Sequence, residues 1–96
     1  MERRKSETLG AVLSRVLAQS GLQSALNERR LIGAWPDIVG EVAARHTREL
    51  FIRQQVLFVR LDSPALRTNL SMQRTDLARH LNARVGAQVI TDVRFV

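Results

Sequence analysis

Apolar residues recur along the chain first at helical spacing, then in alternation, then helically again, and finally in alternation. Over residues 6 to 20, Leu9, Val12, Leu13, Val16 and Leu17 fall three and four apart, the stripe of an amphipathic helix, and Gly21 is a natural stop. A second helical pattern runs from Leu22 to Arg45, with Leu31, Trp35, Ile38, Val39, Val42 and His46 in one broad sector. Pro36 interrupts it. Proline removes a backbone donor and disfavours the α region at Trp35, so the pattern predicts a kink, or a new helix with Pro36 in its first turn.

The segment LFIRQQVLFVRLD changes the period to two. A two-residue turn at Gln54 and Gln55 pairs Arg53 with Val56, Ile52 with Leu57, Phe51 with Phe58, Leu50 with Val59, and Glu49 with Arg60. One face then carries Leu50, Ile52, Leu57, Val59 and Leu61, the core side; the other carries Glu49, Phe51, Arg53, Val56, Phe58 and Arg60. Gln-Gln lacks the turn chemistry of Asn-Gly, which leaves room for a bulge. In DSPALRTNL, Ser63 is placed to cap a helix and Pro64 to open it. The stripe Leu66, Leu70, Leu77, Leu81, Val85 follows, with Gly86 as its stop. Arg74 falls near the apolar side of a continuous helix, which points to two helices meeting near Ser71 to Arg74. Finally Val89, Thr91, Val93 and Phe95 alternate with Ile90, Asp92, Arg94 and Val96, a closing strand.

The resulting order belongs to the α+β class: helices packed on a small three-stranded mixed sheet, with an extra N-terminal helix. From the second helix onward the string helix-strand-strand-helix-helix-strand is similar to a KH domain of the prokaryotic type (type II). The GXXG loop that clamps nucleic-acid backbone in KH domains would fall at Ser71-Met72-Gln73-Arg74, and is absent. No repeat or linker divides the 96 residues, so a single domain is expected over 1–96, with residues 1–5 a basic tail.

Charge adds the first hint of a partner. Fifteen Lys and Arg against nine Asp and Glu leave +6, and all but one of the basic residues are arginine. Such a balance is the electrostatic footprint of a nucleic-acid binder, and arginine adds bidentate phosphate pairing and stacking; a GC-rich genome is an equally good source of the arginine preference. No apolar run approaches the roughly 20 residues that cross a bilayer, and MERRKSE leads into no signal core, so a cytoplasmic protein without membrane contact is expected. With no cysteine, thiolate metal sites and cysteine nucleophiles are excluded.

Catalytic constellations are missing. His46 and His80 form no metal-ligand motif, and each has a single carboxylate at helical spacing, Glu49 and Asp76, of the kind usual in surface contacts. No serine lies in a GxSxG context, no Gly-rich phosphate loop is present, and Asp37 with Glu41 reads as a solvated helix face. No enzyme, metal, cofactor or small-molecule substrate is expected. The crowded stretch WPDIVGEVAARHT also reads structurally: Trp35 lines up with Ile38, Val39 and Val42 as a core anchor, and Gly40 would admit a close neighbour.

The ordered set Trp35-Pro36-Asp37-Ile38-Val39-Gly40, Ala43, His46-Thr47, Leu57-Phe58-Val59, Asp62-Ser63-Pro64, Leu70, Leu81-Asn82, Val85-Gly86 and Val93-Arg94-Phe95 resembles the DciA family from about residue 8 to the end. The resemblance implies a KH-like fold without the GXXG loop and a non-enzymatic partner of the replicative helicase DnaB, assisting its loading onto single-stranded DNA. Many members carry a flexible extension after the domain, whereas this chain stops at Val96. That departure implies either that the minimal domain suffices or that loading activity is weaker or differently arranged.

Candidate DNA contacts come from the residues themselves. On the hairpin's outer face Phe51 and Phe58 are flanked by Arg53 and Arg60, and Arg94 joins them if Val93 and Phe95 face the core. Aromatic rings framed by arginines suit stacked single-stranded bases; the alternative is that the N-terminal helix or a second subunit covers both rings. Glu49 would partly occupy Arg60. Arg3, Arg4 and Lys5 form a second candidate, and Arg67 and Arg74 a third. Two other functions stay open: a protein-protein adaptor meeting its partner through Phe51 and Phe58, and a KH-like RNA-binding module.

Overall fold

The computed structural model describes residues 22–96. The predicted helix over residues 6 to 20 and the tail residues Arg3, Arg4 and Lys5 lie outside the described residues. The first described helix, α1 (Leu22–Val39), holds Pro36 inside it, so of the two expectations the new helix opening at Pro36 is not what forms. Pro36 costs one donor, but the N–H of Gly40 still bonds its carbonyl at 2.9 Å, and the chain leaves the helix only there. Gly40 sits at φ 92 and ψ 169, a region open essentially to glycine, and α2 (Glu41–Arg45) follows it. A Cβ at Gly40 would meet nothing within 4 Å. The expected close approach of a neighbour is therefore corrected: the glycine is needed for its backbone angles.

Trp35 is 1% exposed and anchors the core as expected. Its indole N–H donates to the Thr47 hydroxyl at 3.0 Å, and that hydroxyl donates to the Ala43 carbonyl at 2.8 Å. The end of α1, the body of α2 and the first residue of β1 (Thr47–Arg53) are thus joined by a two-bond relay.

Strands β1, β2 (Val56–Leu61) and β3 (Asp92–Phe95) form one sheet in the order β1-β2-β3, antiparallel between the first two and parallel between the last two. All five predicted hairpin pairs are present, from Glu49 with Arg60 to Arg53 with Val56. The ladder steps from Thr47–Leu61 to Glu49–Arg60, leaving Arg48 as a bulge residue. Gln54 and Gln55 take φ of 52 and 66, the left-handed pair that a two-residue type I′ turn demands. Neither is a residue that favours it.

Two further helices, α3 (Pro64–Ser71) and α4 (Arg74–Val85), separate where Arg74 required a break. The Ser63 hydroxyl accepts from the Leu66 N–H at 3.3 Å with Pro64 at the first position, and Gly86 ends α4 at a left-handed φ of 84. All four described helices belong to one layer on the sheet. Helix α1 packs on α4, α4 on β3, and α3 against β2 and β3. Trp35, Leu31, Leu57, Val59, Leu81, Ile90 and Val93 are fully buried between the layers, with Leu50, Ile52 and Phe95 packed around them. The element order is compatible with the KH-like arrangement expected from residue 22 onward.

The closing strand is shorter than its alternation suggested. It begins at Asp92, not Val89, and Ile90, which the alternation grouped with Asp92 and Arg94, is 0% exposed. Asn82 explains the difference. Its carbonyl oxygen accepts the N–H of Val89 at 2.9 Å and of Ile90 at 3.1 Å, and its amide donates to the Ile90 carbonyl at 2.8 Å. One side chain on α4 thereby replaces a strand partner for a loop and turns Ile90 into the core. Just beyond, the Thr91 N–H bonds the Gln55 carbonyl at 2.7 Å, tying this loop to the hairpin turn.

Substituting Asn82→Ala leaves two inward N–H groups unpaired and the Ile90 carbonyl with only the 3.4 Å bond from Gln88, and is expected to cost about 2–4 kcal/mol, read by urea unfolding, whereas Asn82→Asp keeps the acceptor and loses less. Replacing Gln54-Gln55 by Asn-Gly is expected to raise stability by about 0.5–1 kcal/mol in the same assay, because the turn's backbone angles already suit those residues.

Candidate nucleic-acid interface

Strand alternation sends every second residue of the sheet away from the helices, and the registers group these side chains into rows. Arg53, Val56 and Asp92 make one row, Phe51, Phe58 and Arg94 the next, and Glu49 with Arg60 a third. The middle row is aromatic on two strands and cationic on the third.

Phe51 and Phe58 stack with centroids 5.0 Å apart and planes 9° from parallel. Both are part-buried. The Arg53 guanidinium lies over the Phe51 ring at 5.5 Å, a cation–π contact. Arg60 Nε is 3.5 Å from Glu49, the cross-strand pair anticipated from the register. Arg94 reaches the outer face beside Phe58, and its Nε is 3.8 Å from Asp92 Oδ2. Arg74, the first residue of α4, comes to the same carboxylate, with Nε 3.6 Å from Oδ1. The fold therefore brings together Phe51, Phe58, Arg53, Arg60, Arg94 and, at the β3 edge, Arg74.

Arg67 is a different case. It lies on α3, and its Nε is buried with no hydrogen-bond partner among the described residues. It shares no ion pair with the outer face. Arg3, Arg4 and Lys5 lie outside the described residues. Arg79 pairs with Asp76 and Arg84 with Asp37 at 2.7 Å.

Two features escaped the sequence. Asp92 was one more alternating residue in the closing strand; only the folded chain shows Arg74 joining Arg94 beside it. The other is a cluster where β1 begins and β2 ends. Asp62 Oδ1 is 2.7 Å from His46 Nδ1, Oδ2 accepts from Arg48 Nε at 2.6 Å, and the Asp62 N–H bonds the His46 carbonyl at 3.0 Å. His46 thus takes Asp62 in place of Glu49 as its carboxylate, and Asp76 takes Arg79 in place of His80. Hairpin closure brings residues 46 and 62 together, which no local spacing reveals. The hydrogen bond from His46 first, and that from Arg48 second, hold the Asp62 carboxyl below the usual carboxylate range.

Among the described residues no helix is long and apolar enough to cross a membrane, and no three His, Cys, Asp or Glu side chains form a group that could hold a metal ion.

Comparison with known proteins gives a consistent result. Residues 8–95 match the family model described as Dna[CI] antecedent, DciA. A UPF0232 protein of Corynebacterium glutamicum is 32% identical over 91 residues, covering 95% of this chain and 51% of that protein. The UPF0232 protein in recF-gyrB intergenic region of Mycolicibacterium smegmatis is 31% identical over 93 residues, covering 97% of this chain and 48% of the relative. A UPF0232 protein of Streptomyces coelicolor is 34% identical over 80 residues, covering 81% and 42%. The chain spans about half the length of the curated relatives it matches.

A pH dependence follows from Asp62. With its folded value lowered, the folded protein binds fewer protons than the unfolded chain as pH passes through the carboxylate range, so this contribution is full above the ordinary value of about 3.9 and is lost as pH falls through the lowered one. The stability advantage of the wild type over Asp62→Asn is therefore expected to be present at pH 7 and to vanish on acidification. Urea unfolding of both proteins from neutral pH downward measures it; an advantage unchanged by acid contradicts the assignment.

Proposed function

The chain belongs to the DciA family, and from that premise we propose that it is a non-enzymatic accessory protein of DNA replication, acting in the cytoplasm, that binds single-stranded DNA on the outer sheet face and docks on the replicative helicase DnaB to assist its loading. Family membership over residues 8–95 supports a replication-related role. The DNA half of the reading is carried by one observation: the stacked Phe51–Phe58 pair lying under Arg53 and beside Arg94. An aromatic step framed by guanidiniums offers bases a surface of any sequence and phosphates a cation on either side.

The outer face is polar at its margins and aromatic at its centre, which suits a strand running across the rows. Bases would extend the Phe stack, while Arg53, Arg60, Arg94 and Arg74 meet phosphates. Contacts of this kind read no base edge, so binding is tolerant of sequence and sensitive to salt. Arg67, with its buried and unpartnered Nε, and the tail residues Arg3, Arg4 and Lys5 belong to the reading only as secondary phosphate contacts.

A second reading rests on the same rings. An adaptor that meets a protein partner through Phe51 and Phe58 would bind with little salt dependence, and a loss at Phe51 would exceed any loss at an arginine. A KH-like RNA module has less support, because the α3–α4 junction at Met72 and Gln73 carries no glycine-rich clamp.

The deciding experiment titrates the protein with a labelled oligothymidine and with DnaB from the same organism at several salt concentrations. The expected slope of log K against log salt is about −1.4 to −2.1 for two to three phosphate contacts on a single strand. Arg53→Ala is expected to shallow that slope by about 0.7. Phe51→Leu, which keeps apolar volume but removes the ring, is expected to weaken binding by about 1–3 kcal/mol with the slope unchanged. Salt-independent binding to DnaB with none to the oligonucleotide favours the adaptor, and preference for a matched RNA strand favours the third reading.

A further inference from the structure

The outer face is less positive than its arginines suggest. On the strands, Arg53, Arg60 and Arg94 stand against Glu49 and Asp92. The two carboxylates differ. Among the described residues Glu49 is exposed and meets one cation, Arg60. Asp92 is the less exposed, at 27%, and among the described residues meets two, which come from separate elements: Arg74 from the start of α4 and Arg94 from β3.

Asp92 is also fixed in place. Its Oδ1 accepts the Val93 N–H at 2.8 Å, which sets the direction of the carboxylate, and its row places it at the β3 edge beside Val56. The two guanidiniums approach different oxygens, with N···O distances of 3.6 and 3.8 Å, and remain 55% and 63% exposed. Pairs this long and this solvated are readily exchanged for another anion. One negative charge spread over two oxygens between two guanidiniums is also the arrangement that a backbone phosphodiester presents through its two non-bridging oxygens.

We infer that Arg74 and Arg94 form a phosphate subsite at the β3 edge of the sheet, and that Asp92 is its internal competitor, holding both arginines when no strand is bound and yielding them when a phosphodiester arrives. The inference rests on the outer face being the nucleic-acid surface. It gives Asp92 a role opposite to that of the arginines around it: the carboxylate keeps affinity low and lets a strand leave. The subsite lies next to the aromatic row, since Arg94 is in register with Phe58, so a phosphate there would belong to the nucleotide whose base reaches the rings.

The test compares oligothymidine binding by the wild type, Asp92→Asn, Glu41→Gln, and Asp92→Asn combined with Arg74→Gln and Arg94→Gln. Asparagine retains an oxygen for the Val93 N–H, and thermal melts confirm that each variant folds. Glu41 lies on α2 and not on a strand of the sheet, and its substitution makes the same change in net charge. Asp92→Asn is expected to tighten binding about three- to ten-fold at low salt, with the salt slope little changed because the same phosphate contacts form in both proteins. Glu41→Gln is expected to change affinity less than about two-fold, and removing both arginines to abolish the gain. If the wild type binds with the expected salt dependence but Asp92→Asn binds no tighter than Glu41→Gln, the subsite is overturned and the functional reading stands. A gain that survives loss of both arginines overturns it equally. If neither the wild type nor Asp92→Asn binds the oligonucleotide, the surface assignment fails and the subsite falls with it.

Discussion

The fold depends on where the Trp35 indole puts its polar atom. A tryptophan 1% exposed supplies a large apolar surface to the core, but only if its N–H finds an acceptor. That acceptor is the hydroxyl of Thr47, the first residue of the sheet, itself bonded to the Ala43 carbonyl of the short helix between them. Helix, knuckle and strand are therefore fixed relative to one another by the need to satisfy one buried donor. Gly40 makes the relay possible by taking backbone angles that turn the chain between Trp35 and Thr47. Once β1 is placed, the hairpin register follows, and with it the row of Phe51, Phe58 and Arg94 on the opposite side of the sheet. The candidate interface is a consequence of how the core is anchored.

The same economy appears at Asn82. A loop between a helix and an edge strand must find partners for its own backbone, and water cannot serve where Ile90 is fully buried. A side-chain amide with one acceptor and one donor meets three backbone groups at once. It is therefore Asn82 that decides where β3 starts, and so which residues of the last segment face outward. Had the strand begun at Val89, Asp92 and Arg94 would still alternate outward, but Ile90 would have joined them on the polar face.

Much of this was legible in the sequence because it is local. Period-two alternation set the hairpin pairs, Ser63-Pro64 and Gly86 set helix ends, and the awkward position of Arg74 set the α3–α4 break. What was not legible depends on tertiary partners. Pro36 looked like a kink or a boundary because propensity penalises it, yet the packing of Leu31, Ala34 and Trp35 on one face of α1 carries the helix past it to the glycine. Ile90 was grouped with Asp92 and Arg94 because alternation was extended three residues too far. The outward arginines of the strands could be named from parity alone, and Glu49 followed from the hairpin register, but the pairing of Asp92 with Arg74 could not be read because it joins the closing strand to a helix start more than a dozen residues away in sequence.

The distribution of charge bears on the kind of recognition the proposed surface could perform. Of the described arginines, Arg48, Arg60, Arg74, Arg79, Arg84 and Arg94 each have a carboxylate close by, spread over the sheet face, the bulge and the helices. A net charge of +6 divided in this way produces a diffuse positive field rather than a deep electrostatic groove. Diffuse fields raise encounter rates with a polyanion without holding it in one register, and the Phe51–Phe58 stack supplies the fixed point that the field lacks. A surface built this way would capture single strands quickly and release them readily. That is the behaviour the proposed role asks for, since a strand to be passed on to a helicase must not be kept.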